Sequence, residues 1–211
     1  HAITDSSITV LEGEQVEVTI PVLKLKEVPL KFEFSNVPAG YDPAELNASI
    51  SPATIRIAGA ADTVDGIESV NAGFINLARV QLGKAETLKI QLSEGLVNVD
   101  DVQEATVTFD TSGYGEPRAI TVSDIRVVNA PSGVDVKVIT ESINNVTLVG
   151  EAEELAAISP SDVIAQVDAS AQNITVKGSG QQQFSAQIIV TGTKTVFATG
   201  AYSVLCDITV K

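Results

Sequence analysis

Apolar and polar residues alternate with a period of two along most of the chain. This alternation is typical of strands that bury one face and leave the other in water. Gly, Pro, Asn and Ser interrupt the pattern at short intervals, as turns require. The pattern therefore predicts a mainly β protein, with strands that include Val16–Ile20, Leu30–Phe34, Ile55–Ile57, Leu88–Leu92, Ala105–Phe109, Ile120–Val122, Val134–Val138, Val146–Leu148 and Val204–Val210.

Two short segments depart from this alternation. One follows Gly59 and the other follows Gly150, and acidic residues lie early in both. Val64 with Ile67, and Leu155 with Ile158, are spaced three residues apart and share one face of a helix. Because carboxylates stabilise the N-terminal end of a helix, we expect one or two helical turns in each segment.

These two segments belong to an internal repeat. Ile55–Ile67 matches Val146–Ile158 at its apolar positions and its glycine, and the two copies lie 91 residues apart. Upstream, Val37–Asp42 resembles Ala130–Asp135, and downstream Phe74–Leu77 resembles Gln166–Ala169. Several matching blocks in the same order indicate a tandem duplication.

The duplication predicts two small β-rich domains with one short helix each. We call residues 1–112 module A and residues 119–211 module B, joined by a short linker at 113–118. The Gly, Ser and Pro of this region suit a linker. Since the linker is short, we expect the modules to be near neighbours with restricted motion. Gly178–Gln183 is interpreted as an exposed hairpin loop of module B.

The ordered set of motifs resembles the YbbR-like domain family. In the first copy the motifs are Gly40-Tyr41, Pro52, Ile55–Gly59, Val64 and Ile67, followed by a strand from Val70 to Leu77. The second copy has Gly133-Val134, Val146–Gly150, Leu155, Ile158 and Val163–Ala169. It departs from the pattern at Val134, which replaces the Tyr, and at Ser142, which stands near where the Pro would be. The resemblance covers the chain from about Gln15 to Lys211.

The resemblance implies small β-rich, barrel-like modules, and it also implies a location, a partner and a role. Such proteins carry several modules outside the cytoplasmic membrane, behind one N-terminal transmembrane helix, which is not present in this sequence. Members of the family regulate the membrane diadenylate cyclase that makes cyclic di-AMP in many Gram-positive bacteria. By resemblance, we expect a non-enzymatic, extracytoplasmic regulator with that cyclase as a protein partner. The alternative is an Ig-like stalk or spacer of a bacterial cell-surface protein.

Charge and composition narrow the alternatives. The 211 residues include 27 Asp and Glu against 13 Lys and Arg, for a net charge of −14. Such a surface repels nucleic acids and anionic membranes, so neither is an expected partner. The membrane is expected to matter only through a segment outside this sequence. Aromatic residues are 4% of the chain, so the core must be built from aliphatic side chains.

The residues that most enzymes require are scarce. The one His is His1, which we interpret as a remnant of an expression tag, and the one Cys is Cys206. A zinc site, a disulfide or a nucleophile–histidine pair cannot be assembled from these two residues. Alternation places Cys206 on the apolar face of its strand with Tyr202, Val204, Ile208 and Val210. We therefore predict a Cys that packs in the core and is unreactive.

Other motifs also favour structural interpretations. Asp100-Asp101 and Glu153-Glu154 are interpreted as solvated carboxylates, and Gly113-Tyr114-Gly115 as a turn. Tyr41 is predicted to cover the core of its module. No catalytic residue, cofactor site, metal site or small-molecule substrate is predicted. A partner is expected to bind an exposed sheet edge or the groove between the modules.

Overall fold

A computed structural model describes residues 22–172 and 179–210 of the chain. Strands account for 51% of it and helices for 11%, in curled or nearly closed sheets, which confirms the mainly β, barrel-like prediction. The strand expected at Val16–Ile20 lies outside the described residues. The elements of module A are β1 (Lys24–Ser35), β2 (Ala48–Ser51), β3 (Thr54–Gly59), α1 (Ala61–Asp65), β4 (Val70–Asn76), β5 (Glu86–Lys89), β6 (Val97–Asn98) and β7 (Glu104–Phe109).

Module B contains the second set of elements, and its first strand begins at the last residue of the predicted linker. The elements are β8 (Arg118–Val122), β9 (Asp124–Val128), β10 (Val134–Val138), β11 (Ile143–Val149), α2 (Ala152–Ala157), β12 (Val163–Asp168), β13 (Gly180–Val190), β14 (Phe197–Thr199) and β15 (Tyr202–Val210). Single 3-10 turns lie at Pro43–Glu45, Pro160–Asp162 and Ala169–Gln172. Both predicted helices are present.

No strand of one module pairs with a strand of the other within the described ranges. Module A has sheets in the order β4-β1-β3-β6 and β2-β7-β5, and module B has sheets in the order β14-β11-β8 and β10-β15-β13-β12-β9. The same pairings occur in both. In module A, β1 pairs antiparallel with β3 and parallel with β4. In module B, β8 pairs antiparallel with β11, and β9 pairs parallel with β12.

A cationic side chain fixes each short helix in the same way. Lys26 Nζ donates hydrogen bonds to the carbonyl oxygens of Val64, at 3.4 Å, and Ile67, at 2.6 Å. Arg118 Nη1 donates to those of Leu155, at 3.2 Å, and Ile158, at 2.8 Å. Cations stabilise the carbonyl end of a helix. The acceptors are the residues that the repeat had aligned, so the duplication appears in polar contacts as well as in the apolar pattern.

The glycine before each helix is required by close packing. A Cβ atom on Gly150 would lie 2.5 Å from the carbonyl oxygen of Thr195, and one on Gly59 would lie 2.9 Å from that of Gly95. Real Cβ atoms do not approach backbone oxygens so closely. In both modules, therefore, the strand that leads into the helix runs directly against a returning segment.

Aliphatic side chains fill the interior, as the composition predicted. Module B has one core, around Phe184, Leu148 and Val204. Module A has its own smaller core, around Val28, Ile55 and Ile57. A third cluster joins residues of both modules and includes Tyr41, Leu77, Phe109, Val149 and Phe197. This third cluster sets the relative position of the modules.

Two predicted segments differ in the structure. The interpretation of Gly178–Gln183 as a hairpin loop is wrong from Gly180 onward, because β13 begins there and Gln181–Gln183 pair with Asp207, Cys206 and Leu205. The three consecutive glutamines lack the alternation of apolar and polar residues, so the strand is recognisable from the sequence only from Phe184 onward. The strand expected at Leu88–Leu92 ends at Lys89, although Ile90 N still donates to the carbonyl oxygen of Gln103, at 2.9 Å.

Candidate interaction site between the modules

An apolar contact joins the two modules. Val149, at the end of β11, and Phe197, at the start of β14, are opposite each other in one strand pair. Both side chains are buried, and Phe197 lies against Tyr41 of module A with ring centroids 4.4 Å apart. Aromatic pairs at this separation stabilise a contact beyond the area that they bury. Since both rings are removed from water, the interface between the modules resembles the interior of a single domain.

Tyr41 is held at this contact by the loop before it. Gly40 has φ +89°, which L side chains rarely adopt, and this turn directs Tyr41 inward. Tyr41 is buried, as predicted, although the core that it covers is the one shared with module B. Burial raises the pKa of the Tyr41 hydroxyl, and the neighbouring Tyr114 raises it further. Tyr41 therefore stays neutral in the folded chain well into the alkaline range.

Backbone hydrogen bonds link the modules at both sides of this ring pair. Asp42 N donates to the carbonyl oxygen of Lys194, at 3.3 Å, and Gly200 N donates to that of Ala78, at 2.6 Å. A hydrogen bond constrains both the distance between donor and acceptor and the direction in which they face each other. The modules are therefore held in one relative orientation.

A groove of about 580 Å³ lies between the modules. Module A contributes Asn36, Asn76 and Arg79 to its lining, and module B contributes Gln166, Asp168 and Gln187. The amide side chains among them both donate and accept hydrogen bonds, and they alternate with apolar lining residues such as Pro38 and Ile188. The groove is therefore suited to a polar segment with donors and acceptors of its own, such as a polypeptide backbone.

Asp168 has a local structural role in this groove. It accepts hydrogen bonds from Ser170 N, at 2.9 Å, from Ser170 Oγ, at 2.7 Å, and from Asn129 Nδ2, at 3.0 Å. These bonds, with Ser170 first, lower the pKa of the carboxyl group. Asn76 makes the matching turn in module A, where its side chain accepts from Ala78 N at 3.0 Å. Both turns shape the groove wall.

The acidic pairs are partnered more closely than expected. Asp100 is not simply solvated, because it accepts from Arg56 N and Nε, each at 2.7 Å, and its pKa is lowered as a result. Asp101 turns away and accepts from Gln103. Glu153 is exposed as predicted, whereas Glu154 is partly buried and accepts from Thr193 and Thr195. Asp100 and Glu154 therefore have hydrogen-bond partners at the surface that the solvated interpretation did not include.

The remaining candidates have structural roles. Cys206 is fully buried and burial raises its pKa, which confirms the packing role. Its neighbours Val204 and Ile208 are buried too, whereas Val210 is 42% exposed. Gly113-Tyr114-Gly115 forms the predicted turn, and Tyr114 bridges to Glu151. Across residues 22–172 and 179–210, no three His, Cys, Asp or Glu side chains are grouped to hold a metal ion.

Sequence reasoning did not find the site residues by name. The sequence analysis offered an exposed sheet edge or the groove between the modules as the partner's binding surface, and it named no residue of either. Asn76 and Asp168 were aligned by the repeat, and this alignment was the available signal. The cationic contacts of Lys26 and Arg118 also escaped notice, because single Lys and Arg residues on strands have no distinctive pattern.

Within the described part of the chain, no helix is long and apolar enough to cross a membrane. Comparison of the chain with known protein families and known proteins gives the following similarities. Residues 28–110 match the family model described as YbbR-like protein. No curated protein matches the chain significantly.

Two solved structures resemble the chain. One is a YbbR-like protein from Streptococcus pneumoniae, 18% identical, with a TM-score of 0.31, covering 94% of this chain and 99% of that one. The other is the protein SuR18C from Streptococcus thermophilus, 20% identical, with a TM-score of 0.33, covering 43% of this chain and 89% of that one. The family model matches the region that holds the Gly40-Tyr41 loop, β3 and α1. Residues 28–110, less than half of the chain, are therefore similar to the YbbR-like family.

Proposed function

We propose that the chain is a non-enzymatic interaction module that works outside the cytoplasmic membrane, where it modulates a membrane-bound diadenylate cyclase and so the level of cyclic di-AMP. The match of residues 28–110 to the YbbR-like family model supports a domain that binds rather than catalyses. The observation that carries the proposal is the groove between the modules, which both modules line with amide side chains.

The groove offers a defined way to recognise a polypeptide. Gln166, Gln187 and Asn76 present amides from both walls, and these groups can pair with the N–H and C=O groups of an extended segment. Arg79 is exposed at the same groove and adds a cation that would favour an acidic residue of the partner. Because the modules are locked together, both walls are already in place before binding, which lowers the entropy cost of association.

The test measures cyclic di-AMP in the native host with charge reversal inside and outside the groove. Arg79→Glu changes the groove, and Lys84→Glu is the matched control on an exposed turn outside it. We expect deletion of the whole protein and Arg79→Glu to shift cyclic di-AMP in the same direction, and Lys84→Glu to have no effect. If deletion leaves cyclic di-AMP unchanged, regulation of the cyclase is rejected. If only deletion acts, the groove is not the regulatory surface.

The location is tested separately. We propose that a transmembrane helix outside this sequence anchors the protein and places both modules on the outer side. Protease added to intact cells should then degrade the modules, while a cytoplasmic marker stays intact. Protection of the modules until the cells are lysed would contradict this location.

The buried contact of Tyr41 with Phe197 favours a second candidate, a stiff spacer that holds another part of a surface protein away from the membrane. A spacer depends on rigidity and not on groove chemistry. Arg79→Glu should then have no effect in cells, whereas loosening the contact with Phe197→Ala should impair the function of the attached part. If Arg79→Glu has an effect and Phe197→Ala does not impair the attached part, the result supports the interaction module.

A further inference from the structure

The five-stranded sheet of module B ends in β10, and the outer edge of this strand is open. β10 pairs antiparallel with β15, from Val134↔Val210 to Val138↔Cys206. Within the described part of the chain, no strand pairs with the other side of β10. An edge strand carries a row of free main-chain N–H and C=O groups to which a further strand can add. β10 is therefore a surface that can bind another strand.

The hydrogen bonds to β15 identify the groups at this open edge. Ile139 N donates to the carbonyl oxygen of Leu205 at 2.8 Å, and these two residues continue the register of the strand pair by one position. Bonded and non-bonded pairs alternate along an antiparallel ladder, so every second residue back from Ile139 bonds to β15. The residues between them are Val136 and Val138, and their N–H and C=O groups point away from β15, toward the open edge.

The core of module B is less well covered at this edge. Cys206 and Ile208 of β15 are 0% and 1% exposed. Val138 and Val136 are directly opposite them on β10 and belong to the same core, but their side chains are only partly buried. A strand added beyond β10 would remove more of these valines from water, which favours the addition.

The charges on the outer face of β10 are complementary to a second copy of the same strand. Asp135 and Lys137 are exposed, and neither forms an ion pair among the described residues. On β15, Lys137 is opposite Asp207 and Asp135 is opposite Thr209. If two β10 strands run antiparallel with Val136 opposite Val136, each Asp135 lies opposite the other copy's Lys137.

The hydrogen bonds of the open edge agree with this register. Val136 would form a bonded pair with its own counterpart, and Val138 N would donate to the carbonyl oxygen of the other copy's Val134. Asp135 and Lys137 would then form non-bonded pairs, in which side chains come closest, with Cβ atoms about 5 Å apart. A two-fold axis through Val136 makes the contact identical in both copies, so the assembly closes at two chains.

We propose that the chain forms a two-fold dimer in which β10 of one copy pairs antiparallel with β10 of the other. The occupant of the open edge is a second copy of this chain. The pairing joins two five-stranded sheets into one. Its two pairs of Asp135 with Lys137 offset part of the repulsion between two chains that each have a net charge of −14. The dimer leaves the groove between the modules open, since no residue of β10 lines that groove.

Sedimentation of the full chain as a function of concentration tests the proposal. Asp135→Lys alone places two Lys–Lys contacts across the axis, and Lys137→Asp alone places two Asp–Asp contacts there. Because like charges directly opposite each other destabilise a strand pair, each variant should raise the dissociation constant of the dimer by at least about tenfold. Lys84→Asp, on an exposed turn outside β10, is the matched control and should leave the dissociation constant unchanged.

An equimolar mixture of Asp135→Lys and Lys137→Asp distinguishes this register from a general effect of charge. In the mixed dimer each contact across the axis again joins one Lys to one Asp, so the mixture should dimerise at least as tightly as the unmodified chain. Circular dichroism checks that each variant keeps its fold. An unmodified chain that stays monomeric would overturn the proposal, as would a dimer that neither variant weakens or a mixture that does not recover.

Hydrogen exchange followed by mass spectrometry locates the contact. The amides of Val136 and Val138 should exchange at least about tenfold more slowly at concentrations where the dimer forms, because they are bonded only in the dimer. Dimerisation without slower exchange at these two amides would place the contact elsewhere on the surface, and that result would also contradict the pairing of β10.

Discussion

The two modules differ most at one equivalent pair of strands. In module B, β12 and β13 pair antiparallel from Val163↔Val190 to Gln166↔Gln187 and join five strands into one sheet. In module A, the corresponding β4 and β5 belong to different sheets. Phe74 of β4 is 62% exposed, although it lies in a strand.

Local backbone geometry explains the difference. Gly73 in β4 has φ +137°, its N–H donates to Asn71 Oδ1 at 2.8 Å, and the pairing with β1 shifts register between Lys31 and Glu33. Such a bulge disrupts the ladder and bends the strand. β5 has only four residues, whereas β13 has eleven. One bulge and one short strand are enough to divide a sheet that the same repeat keeps whole elsewhere.

The largest effect is expected from the contrast between two phenylalanines. Phe197→Ala removes a fully buried ring from the inter-module core and should lower the free energy of unfolding by about 3 to 5 kcal/mol. Phe74→Ala, at the divided sheet, should change it by no more than about 0.5 kcal/mol. Urea denaturation followed by circular dichroism measures both. Equal losses would mean that Phe74 is covered in solution.

The cations that fix the helices should have similar, intermediate effects in both modules. Lys26→Ala and Arg118→Ala each remove charge-assisted hydrogen bonds to helix carbonyls, and each should cost about 1 to 2 kcal/mol. Lys84→Ala, on an exposed turn, is the control. Thermal unfolding gives the comparison. If only one of the two variants lost stability, the two equivalent contacts would not contribute equally to the stability of their modules.

The hydroxyl of Tyr41 predicts a pH dependence of the contact between the modules. Its pKa is raised by burial, so the unfolded chain ionises this Tyr near its ordinary pKa of about 10 while the folded chain does not. Stability from this group is complete below that pH and falls as pH rises above it. Tyr41→Phe should flatten the alkaline fall in melting temperature, and Tyr202→Phe is the aromatic control. An unchanged slope in Tyr41→Phe would contradict the buried, neutral hydroxyl.

The smallest effect is expected at the surface of module A. Asp100 accepts from Arg56, which lowers its pKa, so its contribution is present at neutral pH and is lost as pH falls through that lowered pKa. Asp100→Asn should lower the melting temperature slightly at pH 7, and by progressively less as pH falls through the lowered pKa. Asp101→Asn is the neighbouring control. An effect as large as that of Arg118→Ala would contradict the view of this pair as a screened surface contact.

Alternation was sufficient to predict most strands, because half-buried strands such as β7 and β15 carry the pattern in their own residues. It was insufficient where a strand is polar, as at Gln181–Gln183, whose pairing depends on distant residues of β15. The division between β4 and β5 could not be predicted from the sequence. It depends on a positive φ at Gly73, and the only sequence feature that accompanies this conformation is the glycine itself.

The candidate site was predictable only as a region. The repeat aligned Asn76 with Asp168, and both shape the groove. The groove itself depends on how the modules meet, and this depends on Tyr41 finding Phe197, 156 positions away. No local pattern carries information over that distance. The YbbR-like motifs, by contrast, are local, and the similarity of residues 28–110 to this family was recognisable from them.

The bonds of Asp42 to Lys194 and of Gly200 to Ala78 involve only main-chain atoms, and the ring pair between them is uncharged. A chain with a net charge of −14 repels itself more strongly as salt is diluted. Its inter-module joint contains no ion pair among the described residues that salt could weaken. The contacts that oppose this repulsion are main-chain hydrogen bonds and an apolar ring pair, which salt does not screen. The angle between the modules should therefore change little between low and high salt.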